Sequence, residues 1–220
     1  MSSGSLSVVV PALNEEQNLE ATVAEILAEI PRHFDDYEVL IVDDGSTDRT
    51  GEIADALALQ NPAVRTFHNR GNQGYGKAYF RGVSEASKDY VVLVPGDGEN
   101  DLAGMSPLWP LLGTADLIVP FTLNPEIRPP SRRLFSRLGT VTMNALFGMR
   151  LRYFNGTVVC RADALRGIRV ETWGYLFQAE CLVRMVRRGA SYREVGIRVR
   201  PRPFGRSKLF TPRNLAEVAR

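Results

Sequence analysis

Apolar residues in this chain come in short unbroken runs, and after each run they recur three and four positions apart. Residues 6–10 (LSVVV) end at Pro11 and suit a strand buried on both faces. Leu19, Val23, Ile26, Leu27 and Ile30 follow at helical spacing. Residues 37–42 repeat the pattern before Ile53, Ala54 and Leu57, with Ser46 or Thr47 as the expected helix cap. Residues 64–67 make a third short strand before Ala78, Phe80, Val83 and Ala86, and the apolar run 90–94 makes a fourth. Strands alternating with helices of about a dozen residues predict right-handed βαβ units. The expected fold class is α/β, a Rossmann-like, mostly parallel sheet flanked by helices.

The second half reads differently. Residues 115–119 form another strand, and residues 128–133 make a basic, proline-broken lead into a helix through Leu134, Leu138, Val141 and Leu146. Residues 151–159 read as an extended return with a turn at Asn155 and Gly156. Residues 173–188 predict a helix with Phe177, Cys181, Val183, Met185 and Val186 on its apolar side and Glu180 among them. A strand over 192–199 and a basic loop over 200–208 close the pattern.

In parallel sheets ligands bind beyond the carboxyl ends of the strands, and the polar clusters of this chain fall there. Pro11, Ala12, Asn14 and Glu15 follow the first strand, Asp43 and Asp44 the second, and a glycine-rich loop with Gly74 and Lys77 the third. The fourth ends in Pro95-Gly96-Asp97-Gly98-Glu99-Asn100-Asp101, three carboxylates within five residues with glycines on both sides of Asp97. Carboxylate oxygens are the ligands of hard divalent cations, and flanking glycines let a diphosphate approach the backbone. The same turn also reads as a helix start capped by Asp101. The third loop lacks the GxGxxG spacing of a dinucleotide site, which argues against a dehydrogenase.

Charge sharpens this division. Residues 1–120 hold 7 Lys and Arg against 19 Asp and Glu, a net of −12, whereas residues 121–220 hold 20 against 6, a net of +14. An acidic half suits a metal, and a basic half suits phosphate or an anionic membrane surface. We expect one domain over residues 1–220, with 1–120 as the nucleotide- and metal-binding part and 121–220 as the acceptor-binding part. Cys160 and Cys181 have neither CxxC spacing nor a nearby His, and they read as small buried residues of a reducing compartment. No stretch reaches the roughly 18 apolar residues of a membrane span, and the start lacks a signal-peptide pattern. A cytoplasmic protein peripheral to the cytoplasmic face of the membrane is therefore expected, with no nucleic-acid partner. Nothing in the sequence speaks to its oligomeric state.

In order, VPALNEE (10–16), VDDGSTD (42–48), NRGNQGYGKA (69–78) and GDGE (96–99) resemble the inverting family 2 glycosyltransferases of the GT-A fold. Arg202, Gly205, Ser207 and Lys208 narrow the resemblance to the dolichol- or polyprenol-phosphate sugar transferases. It implies a sugar moved from a nucleotide-diphosphate donor, GDP-mannose or a UDP-sugar, to a lipid phosphate with Mg²⁺ or Mn²⁺ as cofactor. Donor binding would fall to Pro11, Ala12, Asn14, Glu15, Asp43, Asp44, Gly74, Lys77 and Asp97, the metal to Asp97 and Glu99. Of Asp43 and Asp44, one also reads as a plain turn former, and Lys77 as an ordinary surface residue.

At the metal the chain departs from the family pattern: Pro95 stands where the first Asp of Asp-x-Asp is usual, and Glu99 where a Gln is. A lipid phosphate is already an anion, so its transfer needs no general base, but the phosphate must be gripped, a task suited to arginine's planar fork. Arg128, Arg132, Arg133, Arg137, Arg202, Ser207 and Lys208 are the acceptor-side residues, and Arg202 with Asp97 and Glu99 would carry catalysis. Solvated surface charge is the alternative for about half of the basic residues. Two other functions stay open: transfer to a saccharide hydroxyl, with Asp101 or Glu180 as base, and a degenerate module that binds a nucleotide sugar without turnover.

Overall fold

A computed structural model describes residues 4–154, 156–172, 174 and 176–200. Seven strands form one sheet in the order β3-β2-β1-β4-β6-β5-β7: β1 Leu6–Ala12, β2 Tyr37–Asp43, β3 Val64–His68, β4 Tyr90–Leu93, β5 Leu117–Thr122, β6 Val159–Arg161 and β7 Tyr192–Ile197. Strand β6 runs antiparallel to both its neighbours, and every other pairing is parallel. The helices are α1 Leu19–Glu29, α2 Thr50–Gln60, α3 Tyr75–Glu85, α4 Pro130–Phe147, α5 Ala162–Arg166 and α6 Phe177–Arg187.

The unbroken apolar runs follow from burial on both faces. Val8 and Val10 join a core shared with α1 and the 3₁₀ helix Ala103–Leu111. Val9 between them faces the other core, built with α3, α5 and α6. Helix α3 approaches closely because Gly82 has no side chain: a Cβ there would stand 2.3 Å from Val9 Cγ1. From β1 the chain winds out to β2 and β3, then crosses back to β4 on the other side of β1. The crevice at this reversal lies between the loops after β1 and β4.

Three local expectations change. The return expected over 151–159 is strand only from Val159, and its turn residue Asn155 lies outside the described residues. The helix expected from residue 173 begins at Phe177, and Trp173 is also outside them. Ser46 and Thr47 do not cap α2, because that helix starts four residues beyond Ser46. Instead, Asp48 Oδ1 accepts the Thr50 N–H at 3.0 Å.

Candidate active site

The loops after β1 and β2 are latched to each other. The Asn14 N–H donates to Ser46 Oγ at 3.0 Å, the Thr47 N–H donates to Asn14 Oδ1 at 2.9 Å, and the Glu15 N–H donates to Thr50 Oγ1 at 2.8 Å. Asn14 holds this position with φ of 53°, a left-handed conformation that asparagine tolerates better than most residues. Ser46 and Thr47 therefore do their work across loops. The third loop packs in as closely: a Cβ on Gly45 (φ 74°) would lie 2.4 Å from Gly71 Cα, so only glycine fits there.

The two aspartates after β2 have different tasks. Asp44, 3% exposed, accepts from Asn69 Nδ2 at 2.8 Å and from the Gln73 and Gly74 N–H groups at 3.0 and 2.9 Å. Both its oxygens hold the loop leading into α3, which is the turn-former role. Asp43 accepts the Ser46 N–H at 3.0 Å on Oδ1 and faces His68 Nδ1 at 3.1 Å through Oδ2. The other ring nitrogen of His68 lies 3.0 Å from Asp55 Oδ1. Hydrogen bonds to Asp43 and then Asp55 raise the His68 pKa above the ordinary imidazole value. Sequence reasoning missed His68, whose only signal was its place at the end of the third strand.

Beyond β4 the chain keeps following β1: the Val94 N–H donates to Val9 O at 2.9 Å and the Gly96 N–H to Pro11 O at 3.1 Å. That register sets Gly96 against Pro11 and Ala12, and buried Asp97 follows it. Asp97 Oδ1 accepts the Glu99 N–H at 3.0 Å, folding the turn so that both carboxylates belong to one short loop. Asp101 Oδ1 accepts the Gly104 N–H at 3.1 Å and starts the 3₁₀ helix, its capping role. Lys77 is exposed on the first turn of α3, directly after Gly74.

The basic half reaches this turn at three points. Arg132 Nη2 on α4 lies 3.3 Å from Glu99 Oε1, Thr157 Oγ1 donates to Asn100 Oδ1 at 3.2 Å, and Arg200 Nε donates to Gly98 O at 3.2 Å. Arg200 also pairs with Glu25 of α1, whose other oxygen accepts the Leu102 N–H at 3.1 Å. Arg200 and Glu25 thus hold the acidic turn at both ends, and neither was singled out from sequence. Arg128 donates to the Tyr153 hydroxyl at 3.1 Å. Arg133 and Arg137 are exposed on α4; Arg133 sits about 100° further round the helix than Arg132. Arg202, Ser207 and Lys208 lie outside the described residues.

Residues 7–172 match Glycosyl transferase family 2. The chain belongs to that family. It is 32% identical over 212 residues to the undecaprenyl-phosphate mannosyltransferase of Micrococcus luteus, covering 91% of this chain and 86% of that protein. It is 31% identical over 216 residues to the polyprenol monophosphomannose synthase of Mycolicibacterium smegmatis, covering 92% and 80%. Among solved structures, glucosyl-3-phosphoglycerate synthase of Mycobacterium tuberculosis with Mg²⁺ and uridine diphosphate superposes with a TM-score of 0.72 at 21% identity, covering 98% of this chain and 78% of that one. The fold of this family 2 glycosyltransferase is therefore GT-A, as the motifs imply.

Among the described residues no cluster of three or more His, Cys, Asp or Glu side chains could by itself hold a metal. Asp97 and Glu99 nevertheless fit a GT-A metal: Mg²⁺ is commonly held by one or two carboxylates, with substrate phosphate and water completing the shell. Cys160 and Cys181 are free and buried. Burial pushes both thiols up, that of Cys181 to about 12, so neither is a nucleophile at neutral pH.

Proposed function

We propose that this glycosyltransferase moves a sugar, with inversion, from a nucleotide-diphosphate donor, GDP-mannose or a UDP-sugar, to a polyprenol phosphate. The observation that carries this reading is the Arg132–Glu99 contact, which sets a guanidinium of the basic half against the carboxylate turn. An acceptor phosphate held by Arg132 would lie beside the donor diphosphate, in line for attack on the sugar. Relatives over more than nine-tenths of the chain are named for polyprenol-phosphate and undecaprenyl-phosphate mannosyl transfer, which supports the same acceptor class.

The carboxylates that a saccharide hydroxyl would need as base are otherwise engaged. Burial alone would raise the Glu180 pKa. Hydrogen bonds from the Thr172 hydroxyl and N–H, the Glu171 N–H and Arg184 outweigh it and lower the value. A base poised near neutrality needs the opposite shift. Asp101 is a cap. A lipid phosphate, ionised before it binds, makes no such demand.

In the reaction the latched loops after β1 and β2 would seat the nucleoside, with Asp43 accepting from base or ribose. Asp97 and Glu99 would hold Mg²⁺ or Mn²⁺ against the diphosphate, where a divalent ion neutralises the charge of the departing nucleoside diphosphate. Arg132 and Arg202 would orient the attacking phosphate oxygen. Reaction at the membrane surface follows from such an acceptor. Among the described residues, no helix is long and apolar enough to cross a membrane.

The test is transfer from GDP-mannose and UDP-sugars to a short-chain polyprenyl phosphate, with Mg²⁺, Mn²⁺ or EDTA. Metal-dependent formation of a sugar–phosphate–lipid is expected, and glycosylation of saccharides in its place would overturn the acceptor. Asp97→Asn should bind the nucleoside diphosphate at least tenfold more weakly and lose the effect of Mn²⁺ in calorimetry. Unchanged affinity with unchanged metal dependence would remove Asp97 from the site. Arg202→Ala should leave donor affinity within about twofold while kcat/KM for the acceptor falls ~30- to 150-fold, as expected for a lost charge-assisted phosphate contact.

A further inference from the structure

Strand register sets His68 against Asp43. The two residues are partners at the ends of the parallel pair β2 and β3, so their side chains stand on one face of the sheet. Two residues earlier, Thr66 Oγ1 donates to Ala54 O at 3.0 Å, which ties β3 to α2 and fixes where the ring stands. The first turn of α2 closes over the pair: a Cβ on Gly51 would lie 3.1 Å from Asp43 Oδ2 and 3.5 Å from His68 Cε1. Oδ2 is thereby given over to the imidazole, 3.1 Å from Nδ1. Oδ1 takes the Ser46 N–H at 3.0 Å and, as a carboxylate oxygen, keeps a second lone pair.

The ring lies between two unequal carboxylates, Asp43 from β2 and Asp55 from α2, and these are the charged groups that act on it. The Asp43 side chain is 8% exposed and that of Asp55 61%. An imidazolium donates to both, through Nδ1–H and Nε2–H. A neutral ring keeps one N–H and must turn a lone pair toward one of the carboxylates. Water can take the place of the ring at exposed Asp55, whereas at Asp43 a buried oxygen would lose its partner at greater cost. The neutral ring therefore keeps its proton on Nδ1, and Asp43 is held in one orientation in either charge state.

We propose that His68 is a positioning residue for the donor: its Nδ1–H pins Asp43 Oδ2, so that Oδ1 is left to meet a single N–H or O–H of the nucleoside. The proposal rests on the reading of Asp43 as the acceptor for base or ribose of a nucleotide-diphosphate donor, and its test separates the two. A nucleoside contact is made alike in the bound donor and in the transition state, so its loss belongs in donor affinity and not in turnover.

GDP and UDP with Mn²⁺ are titrated in calorimetry into wild type, Asp43→Asn, His68→Ala, His68→Leu and His68→Asn. The asparagine amide N–H stands near the place of Nδ1, and leucine fills comparable space without a donor. His68→Ala and His68→Leu should bind the preferred nucleotide about 3- to 10-fold more weakly, the size of one lost hydrogen bond, and His68→Asn should stay within about twofold of wild type. Asp43→Asn should lose about fivefold or more. Turnover at saturating donor, with a short-chain polyprenyl phosphate, should stay within about twofold in all three His68 variants. The chain has two histidines, and the signal missing from His68→Asn assigns the ring. Nitrogen NMR at about pH 9 should then show neutral His68 protonated on Nδ1. Wild-type affinity in His68→Leu beside a loss in Asp43→Asn overturns the proposal and leaves Asp43 at the donor, since the ring would then only fill space. An Nε2–H tautomer overturns it equally. Unchanged affinity in Asp43→Asn, or no binding of either nucleotide by wild type, removes the donor reading of Asp43 and the proposal with it.

Discussion

Asp43 stands at the carboxyl end of β2 already oriented, one oxygen taken by the Ser46 N–H and the other facing a histidine shared with Asp55. Because the His68 pKa is raised above its unfolded value of about 6.5, the stabilisation from imidazolium is complete below that pH and is lost as pH rises through the folded value. The side chain is 43% exposed, so solvent screening keeps the effect on the order of 1 kcal/mol or less. The melting temperature of His68→Asn should therefore trail wild type most near about pH 6 and converge with it toward about pH 9. A gap that stays constant across that range would show that imidazolium charge does not hold Asp43. Sequence alone named Asp43 and Asp44 together and could not divide their labour. The partners of Asp44 lie some thirty residues away, and the register that sets Asp43 opposite His68 depends on strand order, which no local pattern reports.

At the scale of elements, the acidic turn is held less by its own residues than by what grips it. Arg200, just past the end of β7, binds Gly98 O and Glu25, and Glu25 in turn holds the start of the 3₁₀ helix. Arg200→Ala should cost about 1 kcal/mol of stability, a charge-assisted bond discounted because the side chain is 41% exposed. It should weaken metal-dependent nucleotide binding several-fold, since Gly98 lies between the two carboxylates. Calorimetry with Mn²⁺ and GDP, beside a thermal melt, checks both. Unaltered binding at a lowered melting temperature would make Arg200 a tie of the fold only. Helix α4 shows the other limit of a sequence reading. Leu134, Leu138 and Val141 foretold a helix, but a spacing near 3.6 is the same whether the apolar face looks inward or outward. The inward side became visible only once Glu99 and Leu151 were found beneath Arg132 and Asn144.

Over the whole molecule, the separation of charge visible in the sequence would, in the proposed reaction, be a separation of tasks around one strand end. Strand β4 belongs to the acidic half and β6 to the basic half, and they pair antiparallel with Val91 opposite Cys160. Strands β1, β2 and β4 were legible because their apolar runs are nearly continuous and almost wholly buried. The antiparallel insertion of β6 was not, since three residues set no period and burial carries no direction. Between β5 and β6 the chain passes through α4, which brings Arg132, 26% exposed, to Glu99, 25% exposed. If Arg132 holds the acceptor, Arg132→Ala should lower kcat/KM for a short-chain polyprenyl phosphate by ~30- to 150-fold, equivalent to about 2–3 kcal/mol of transition-state stabilisation. Donor binding should be as tight as in wild type or tighter, because Glu99 loses a competing cation and keeps its place through the Asp97 turn. Arg132→Lys should recover only part of the loss, since an ammonium lacks the planar fork that meets two phosphate oxygens at once. A variant that instead loses nucleotide affinity and keeps its acceptor KM would assign Arg132 to the donor side, and the phosphate would have to be sought at Arg202 alone.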